Sequence, residues 1–426
     1  MRRNAQPKRV SAREAVRALP TSGRVLFPPA CGATLALLDA LVDERSRFQA
    51  LDLCTGLIFA EHPLWQTLGD NVRLTTWHLA GPVLQQADEG RVEFLPIRMS
   101  QVPHIFAAQG PLPADAVFIQ VSPPDAHGYV SLGVSVSTTI DLARSAPLVV
   151  AEVNQQTPRV LGNSLLHLSE IDYLVDADYP LVEYRQARIG DLERSIAQYV
   201  ADLIPDGATI QMGIGAIPEA LMFFLDGKRD LGVHSGMISD GFVPLIEKGV
   251  INNARKPIDR YKSVTGEVMG GPDLFRFVHE NPLIHTDSVT YTHNPLVIRR
   301  IDNFISINSA VEIDLGGQVN SESIGGRQIS GLGGQFDFIE AVLHGTNGVS
   351  IFALPSTAAK GKISRIVSRL GHGAVVSTPR YCTDYVVTEY GVASLKGRTM
   401  RRRAEALTAI AHPDFRDDLA NSLSKT

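Results

Sequence analysis

A chain of 426 residues with 44% hydrophobic and 20% charged residues has the composition of a soluble globular protein and is long enough for two cores. Its 40 basic and 45 acidic residues leave a formal charge of -5, which speaks against a nucleic-acid binder or a protein of anionic membrane surfaces. Cys31, Cys54 and Cys382 are far apart and form no CxxC pair, so neither a disulfide framework nor a zinc site is expected, and a cytoplasmic location fits.

The N-terminal stretch "MRRNAQPKRVSAREAVRALP" is basic but has no apolar core, and no run reaches the length of a membrane span. Neither a secretion signal nor an anchor is expected. Ser11, with Glu14 three residues on and then Ala15, Val16 and Leu19, has the spacing of a capping box; a first helix should open at Ser11 and stop before Pro20. Short apolar runs then alternate with amphipathic segments: "GRVLFPP", "LALLDALVDE", "FQALDLCTG". That alternation predicts β-α-β units, hence an α/β fold with a mostly parallel sheet. "APLVVAEVN" reads as a buried strand. "EIDYLVDADYPLVEYRQARIGDLERSIAQYVADLI" runs from strand through an acidic, Pro-containing connection into an amphipathic helix, which puts a domain junction near 180–190.

Beyond the junction the order of parts repeats. "LPTSGRVLFPPACGATLALLDAL" and "IPDGATIQMGIGAIPEALMFFL" both run from Pro through a small turn, a strand and a Gly-containing loop to a helix. A second strand follows in each half, "FQALDLCTGLIFAEHP" and "DLGVHSGMISDGFVP". Two related open α/β domains are therefore expected, 1–185 and 186–426, with a ligand in the cleft between them.

In the second half, "TIQMGIGAIPEAL" carries Gly213, Ile214, Gly215, Ala216 and Ile217 between a strand and a helix with Pro218 in its first turn. Glycines admit a ligand close to the backbone, and a helix N-terminus favours negative charge. The dinucleotide fingerprint is broken at Pro218, and the next strand ends in Ser235-Gly236 instead of an acid, so NAD is not expected.

The GxGxxP loop, "GVHSGMISDG", "INSAVEIDLGGQVNSESI", "SGLGGQFDFI", "ALPSTAAKGKISRIV", "VVTEYGVASLKGR" and "AIAHPDFRDDL", with "VSPPDAHGYVSLG" and "AEVNQQTPRVLG" in the first half, together resemble the acetyl-CoA hydrolase/transferase family. The resemblance covers nearly the whole chain. It implies a class I CoA-transferase of the 4-hydroxybutyrate, butyrate or acetate type, with a coenzyme A thioester and a small carboxylic acid as substrates and no permanently bound cofactor. A glutamate would attack the thioester and carry CoA covalently, preserving the thioester's energy. By matching motif, Gly213 to Ile217 would line CoA and the reacting carbonyl. Gly331, Gly333 and Gly334 would let pantetheine pass close to the backbone, and Lys360 would meet a phosphate. A homodimer or larger assembly is also implied.

The sequence departs from the family at one position. Where members with transfer chemistry have glutamate in the segment "GVHSGMISDG", this chain has Gly236. The next strand, "YKSVTGEVMGG", brings Glu267 to its end, and consecutive parallel strands are often neighbours; Glu267 is the candidate replacement. Acyl-CoA hydrolysis and CoA-thioester binding without catalysis are the competing readings.

Other residues carry blander alternatives. His234 is expected to orient at most, Asp240 to accept hydrogen bonds from its loop or, in preference, to cap the following helix, and Glu219 to favour a helix dipole. Arg398, Arg401, Arg402 and Arg403 suit a CoA phosphate or a solvated helix face. Lys362, Ser356 and Thr357 lie near Lys360 and suit a ligand contact or a turn. Asn154 and Arg159 match a family segment of the first half, and Arg159 suits a substrate carboxylate or a domain interface. The histidines and acids have no metal-ligand spacing.

Overall fold

The capping box at Ser11 opens the first helix as its spacing predicts. In the computed structural model, which describes residues 6–423, the Ser11 hydroxyl accepts from Glu14 N and the Glu14 carboxylate accepts from Ser11 N at 2.9 Å. The helix runs Ala12–Arg17 and ends at Ala18, two residues before Pro20. Residues 1–5, which begin the basic N-terminal stretch, and 424–426 lie outside the described residues.

The chain forms two compact units. Unit 1 comprises Met1–Arg185, Gly236–Asp240 and Val264–Thr292; unit 2 comprises Gln186–Ser235, Gly241–Ser263 and His293–Thr426. The sequence reading has one boundary, near 185, and assigns 236–240 and 264–292 to the second half. These segments join unit 1 because its backbone completes their hydrogen bonds. Val136 N and Ser137 N donate to Gly266 O, Val268 N to Val134 O, and Asn163 N to Thr286 O. Short strands with unpaired edges go where a ladder accepts them.

Unit 1 is built on an eight-stranded sheet in the order Lys8–Arg9, Tyr173–Ala177, Val149–Asn154, Ala116–Val121, Ser22–Leu26, Ala50–Thr55, Val72–Thr76, Val92–Phe94. Every neighbouring pair is parallel. Ala116–Val121 and Val149–Asn154 are buried at every residue, as continuous apolar runs in a parallel sheet covered on both faces should be. Trp65, Phe48 and Leu37 help fill the core. Strand order reverses between Ser22–Leu26 and Ala116–Val121, and the crevice at the carboxyl ends of such a switch point is where open α/β sheets bind ligands.

Unit 2 has a six-stranded sheet in the order Gly232–Val233, Thr209–Met212, Phe304–Asn308, Val349–Ala353, Tyr385–Thr388, Gly391–Ser394. It is parallel except for the final hairpin. Thr209–Met212 followed by helix Ala216–Phe224 repeats the order of Ser22–Leu26 and helix Leu35–Asp43 in unit 1. The second strand expected around "GVHSGMI" is not continuous. It forms Gly232–Val233 in the sheet of unit 2, then Met237–Ile238 in unit 1, and Gly236 is where the chain passes from one to the other.

Candidate active site

Glu267 begins the two-residue strand Glu267–Val268, which pairs in parallel with Met237–Ile238. Gly266 N and Glu267 N both donate to Gly236 O, at 3.2 and 3.0 Å. The two residues singled out in the sequence are thus hydrogen-bonded neighbours on adjacent strands. The register pairs Glu267 with Met237, not with Gly236. Paired residues of a parallel ladder share a face and successive residues alternate. Met237 therefore shares a face with Glu267, and the Glu267 carboxyl reaches toward residues 135–137.

There the carboxyl meets two serines. Ser137 Oγ donates to Glu267 Oε1. Ser135 faces Glu267 across an isolated antiparallel bridge; its hydroxyl lies close enough to favour the ionised carboxylate but not aligned to close a hydrogen bond. Glu267 is 4% exposed, and its Oε2 has no hydrogen-bond partner among the described residues. Burial pushes its pKa from 4.5 up to about 8, against the two serines, which pull it down. Desolvation wins because two neutral hydroxyls replace only part of a carboxylate's hydration.

Glu152, in the strand Val149–Asn154, provides the contrast. Burial pushes it up to about 7, yet both its oxygens are engaged: Oε1 accepts from Leu37 N at 2.8 Å and Oε2 from the Tyr179 hydroxyl. It caps helix Leu35–Asp43 and has no free oxygen to offer a substrate.

The loop that leaves Leu26 at the switch point packs against Ser135. A Cβ on Gly32 would lie 2.5 Å from Ser135 Cβ, so only glycine fits there. Cys31 is buried, and its thiol is pushed up to about 12, first by burial and also by the nearby charges of Glu267 and Asp240. Glu267 thus sits beside the switch-point crevice of unit 1. Ser135, Ser137 and Cys31 lie more than a hundred residues from it in sequence, and no local pattern links them to it.

The remaining expected residues are dispersed. In unit 2, Gly213 to Ile217 join strand Thr209–Met212 to helix Ala216–Phe224. Gly215 precedes the helix with φ 127°, and a Cβ on Gly213 or Gly215 would meet nothing within 4 Å. Gly331 and Gly333 are buried in the turn before helix Gln335–His344. Gly334 is explained by packing: a Cβ there would lie 2.4 Å from the His293 ring. Lys360 is exposed at the tip of the hairpin Thr357–Ala358/Ile363–Ser364, with φ 59°.

Several alternatives resolve toward structure. Asp240 Oδ1 accepts from Gly271 N at 3.2 Å. Arg159 is paired with Asp125 at 2.7 Å. Arg401 and Arg402 pair with Glu405 on an exposed helix face, and Arg403 donates to Gly316 O and Arg380 O. Ser356 holds the Glu389 carboxylate through its backbone N and its hydroxyl. Asn154 donates to Tyr179 O. His234 is buried in unit 2, its N donating to Ile210 O. Glu219 is buried in the first turn of its helix.

Among the described residues no group of three or more His, Cys, Asp or Glu is arranged to hold a metal ion, and no helix is long and apolar enough to cross a membrane.

Comparison with known proteins gives a consistent result. Residues 1–183 match the acetyl-CoA hydrolase/transferase N-terminal domain and residues 270–423 the C-terminal domain of the same name. A 4-hydroxybutyrate coenzyme A transferase from Clostridium kluyveri is 46% identical over 419 residues, covering 98% of this chain and 97% of that one. The crystal structure of a 4-hydroxybutyrate CoA-transferase from Porphyromonas gingivalis superposes with a TM-score of 0.83 at 39% identity, and that of RipA from Yersinia pestis with 0.91 at 34%. Each of these two alignments covers 98% of this chain and 97% of the other.

Proposed function

The chain belongs to the acetyl-CoA hydrolase/transferase family, and from that premise we propose that it moves coenzyme A between a short-chain acyl-CoA and a carboxylic acid, with Glu267 as nucleophile. The observation that carries this reading is the Glu267 carboxyl, buried beside Gly236 with one oxygen held by Ser137 and the other without a hydrogen-bond partner among the described residues.

Glu267 Oε2 attacks the thioester carbonyl. The new O–C bond forms, the C–S bond breaks, and CoA thiolate leaves with the electron pair, giving a mixed anhydride. The thiolate then attacks Glu267 Cδ, and the acyl group departs as a carboxylate that takes Oε2 with it. A glutamyl-CoA thioester remains, which an acceptor carboxylate converts to product by the reverse steps. The carboxyl must be ionised to attack, so the rate should rise with pH toward a plateau, with its midpoint near the raised pKa. Gly213 to Ile217, Gly331, Gly333 and Lys360 belong to the same reading as CoA contacts, as do a cytoplasmic location and a homodimer or larger assembly; light scattering tests the last.

Incubation with acyl-CoA and no acceptor, followed by peptide mass mapping, should find a CoA adduct on Glu267. Glu267→Gln should lose transfer by about 10⁴-fold or more, as removal of a covalent nucleophile does. Full transfer activity in that variant would disprove the assignment. Thiol release by the wild type with no adduct would indicate acyl-CoA hydrolysis instead.

A further inference from the structure

Glu267 reacts at two atoms in this scheme, Oε2 and Cδ, and the geometry distinguishes the roles of its oxygens. Whenever a nucleophile adds to Cδ, negative charge develops on the oxygen that stays, Oε1. That oxygen is the one on which Ser137 Oγ donates. We infer that Ser137 is a catalytic hydrogen-bond donor that stabilises the oxyanion on Glu267 Oε1 when CoA thiolate or the acceptor acid adds to Cδ, and leaves Oε2 free for attack. The inference rests on Glu267 being the nucleophile.

Ser137 is held as such a donor must be. Its N donates to Gly266 O at 3.0 Å and its O accepts from Val289 N at 3.0 Å. Its β-carbon also fixes the residue before the nucleophile: a Cβ on Gly266 would come within 2.8 Å of it. The hydroxyl is therefore aimed by backbone on both sides, buried, and adjacent to the reacting carbon before any substrate arrives. A preorganised donor in a site that excludes water is the arrangement that favours a transition state over its ground state. Ser137 does not change protonation in these steps. It donates throughout, and the charge passes from Oε1 back to the departing carboxylate or thiolate.

The titratable groups facing the carboxyl from neighbouring segments are Cys31, whose thiol stays neutral, and beside it Asp240. Neither is touched by a change at 137, so a shifted pH profile reports the lost hydrogen bond.

The test is single-turnover mixing of enzyme with acyl-CoA, acid quench and mass mapping of the Glu267 peptide across pH. Ser137→Ala should form the same glutamyl-CoA adduct about 10²–10³-fold more slowly, with an unchanged KM for acyl-CoA. Its rate should rise at higher pH than that of the wild type, because a hydrogen bond favouring the ionised carboxylate has gone. Ser137→Cys, close in volume with a weak donor, should fall between the two. Adduct formation by Ser137→Ala at the wild-type rate and pH dependence overturns the role of Ser137 and leaves the nucleophile standing. If Ser137→Ala fails to fold, judged by its melting temperature, a wild-type rate in Ser137→Cys overturns it equally. A wild type with no adduct on Glu267 removes the nucleophile itself, a separate result.

Discussion

Glycine works in opposite ways in the two loops that matter most. Around Gly213 and Gly215 in unit 2, apart from the adjoining residues, no heavy atom of the described residues lies within 4 Å of where a Cβ would stand; around Gly266 and Gly32 in unit 1, the serines that surround Glu267 already fill that space. The first loop keeps its backbone accessible from outside the chain. The second gives up side chains so that a carboxyl and two hydroxyls can be packed together out of water. A strand-loop-helix pattern in sequence looks alike in both cases; only the neighbours separate them.

The largest effect that sharpens this contrast is electrostatic. Glu267 has a folded pKa near 8 against an ordinary 4.5, so the folded state binds its proton more tightly than the unfolded chain. Stability from this group is complete below the unfolded value and is lost as pH rises through the folded one, a loss on the order of a few kcal/mol. Glu267→Gln should therefore gain in melting temperature relative to the wild type between about pH 5 and pH 8. A constant gap across that range would mean the carboxyl is hydrated after all.

Next comes Gly266→Ala. The added methyl group meets the Ser137 β-carbon and Gly236 O, and overpacking of this kind costs about 1–3 kcal/mol; denaturant unfolding should show it, together with loss of transfer because Ser137 is displaced. Gly215→Ala has room but the wrong backbone, at φ 127°. About 1 kcal/mol of destabilisation is expected from urea titration. Gly213→Ala has both room and ordinary backbone, so its stability should stay within about 0.5 kcal/mol of the wild type, while isothermal titration with CoA should show weaker binding. A stability loss at Gly213 as large as at Gly266 would collapse the distinction between the loops.

Much of the fold is legible in the sequence because its signals are local. Ser11 and Glu14 announce a helix start, the buried run "VVAEVN" announces a central parallel strand, and the two strand-loop-helix openings announce a second unit. The site is legible only in part. Glu267 and Gly236 stand out as a carboxylate gained and one missing, but the pairing that makes them neighbours is one of two-residue strands, too short for any period to reveal. Ser137 is hidden for another reason: it is 130 residues from Glu267, and a serine before a helix has many ordinary explanations. Asp240 reads in sequence as a loop acceptor or a cap, and the donor it meets, Gly271 N, is 31 residues along the chain.

The division of the chain into interleaved segments also bears on how the protein is made. Unit 1 closes only with Val264–Thr292, so a ribosome must synthesise residues 186–235 and 241–263 of unit 2 before the first unit's last strands emerge. At about 5–20 residues per second, the segment 132–137 waits seconds with its hydrogen bonds to Gly266 and Val268 unmade. During that interval the segment is an unpaired edge, and slowing translation between residues 186 and 263 should prolong it.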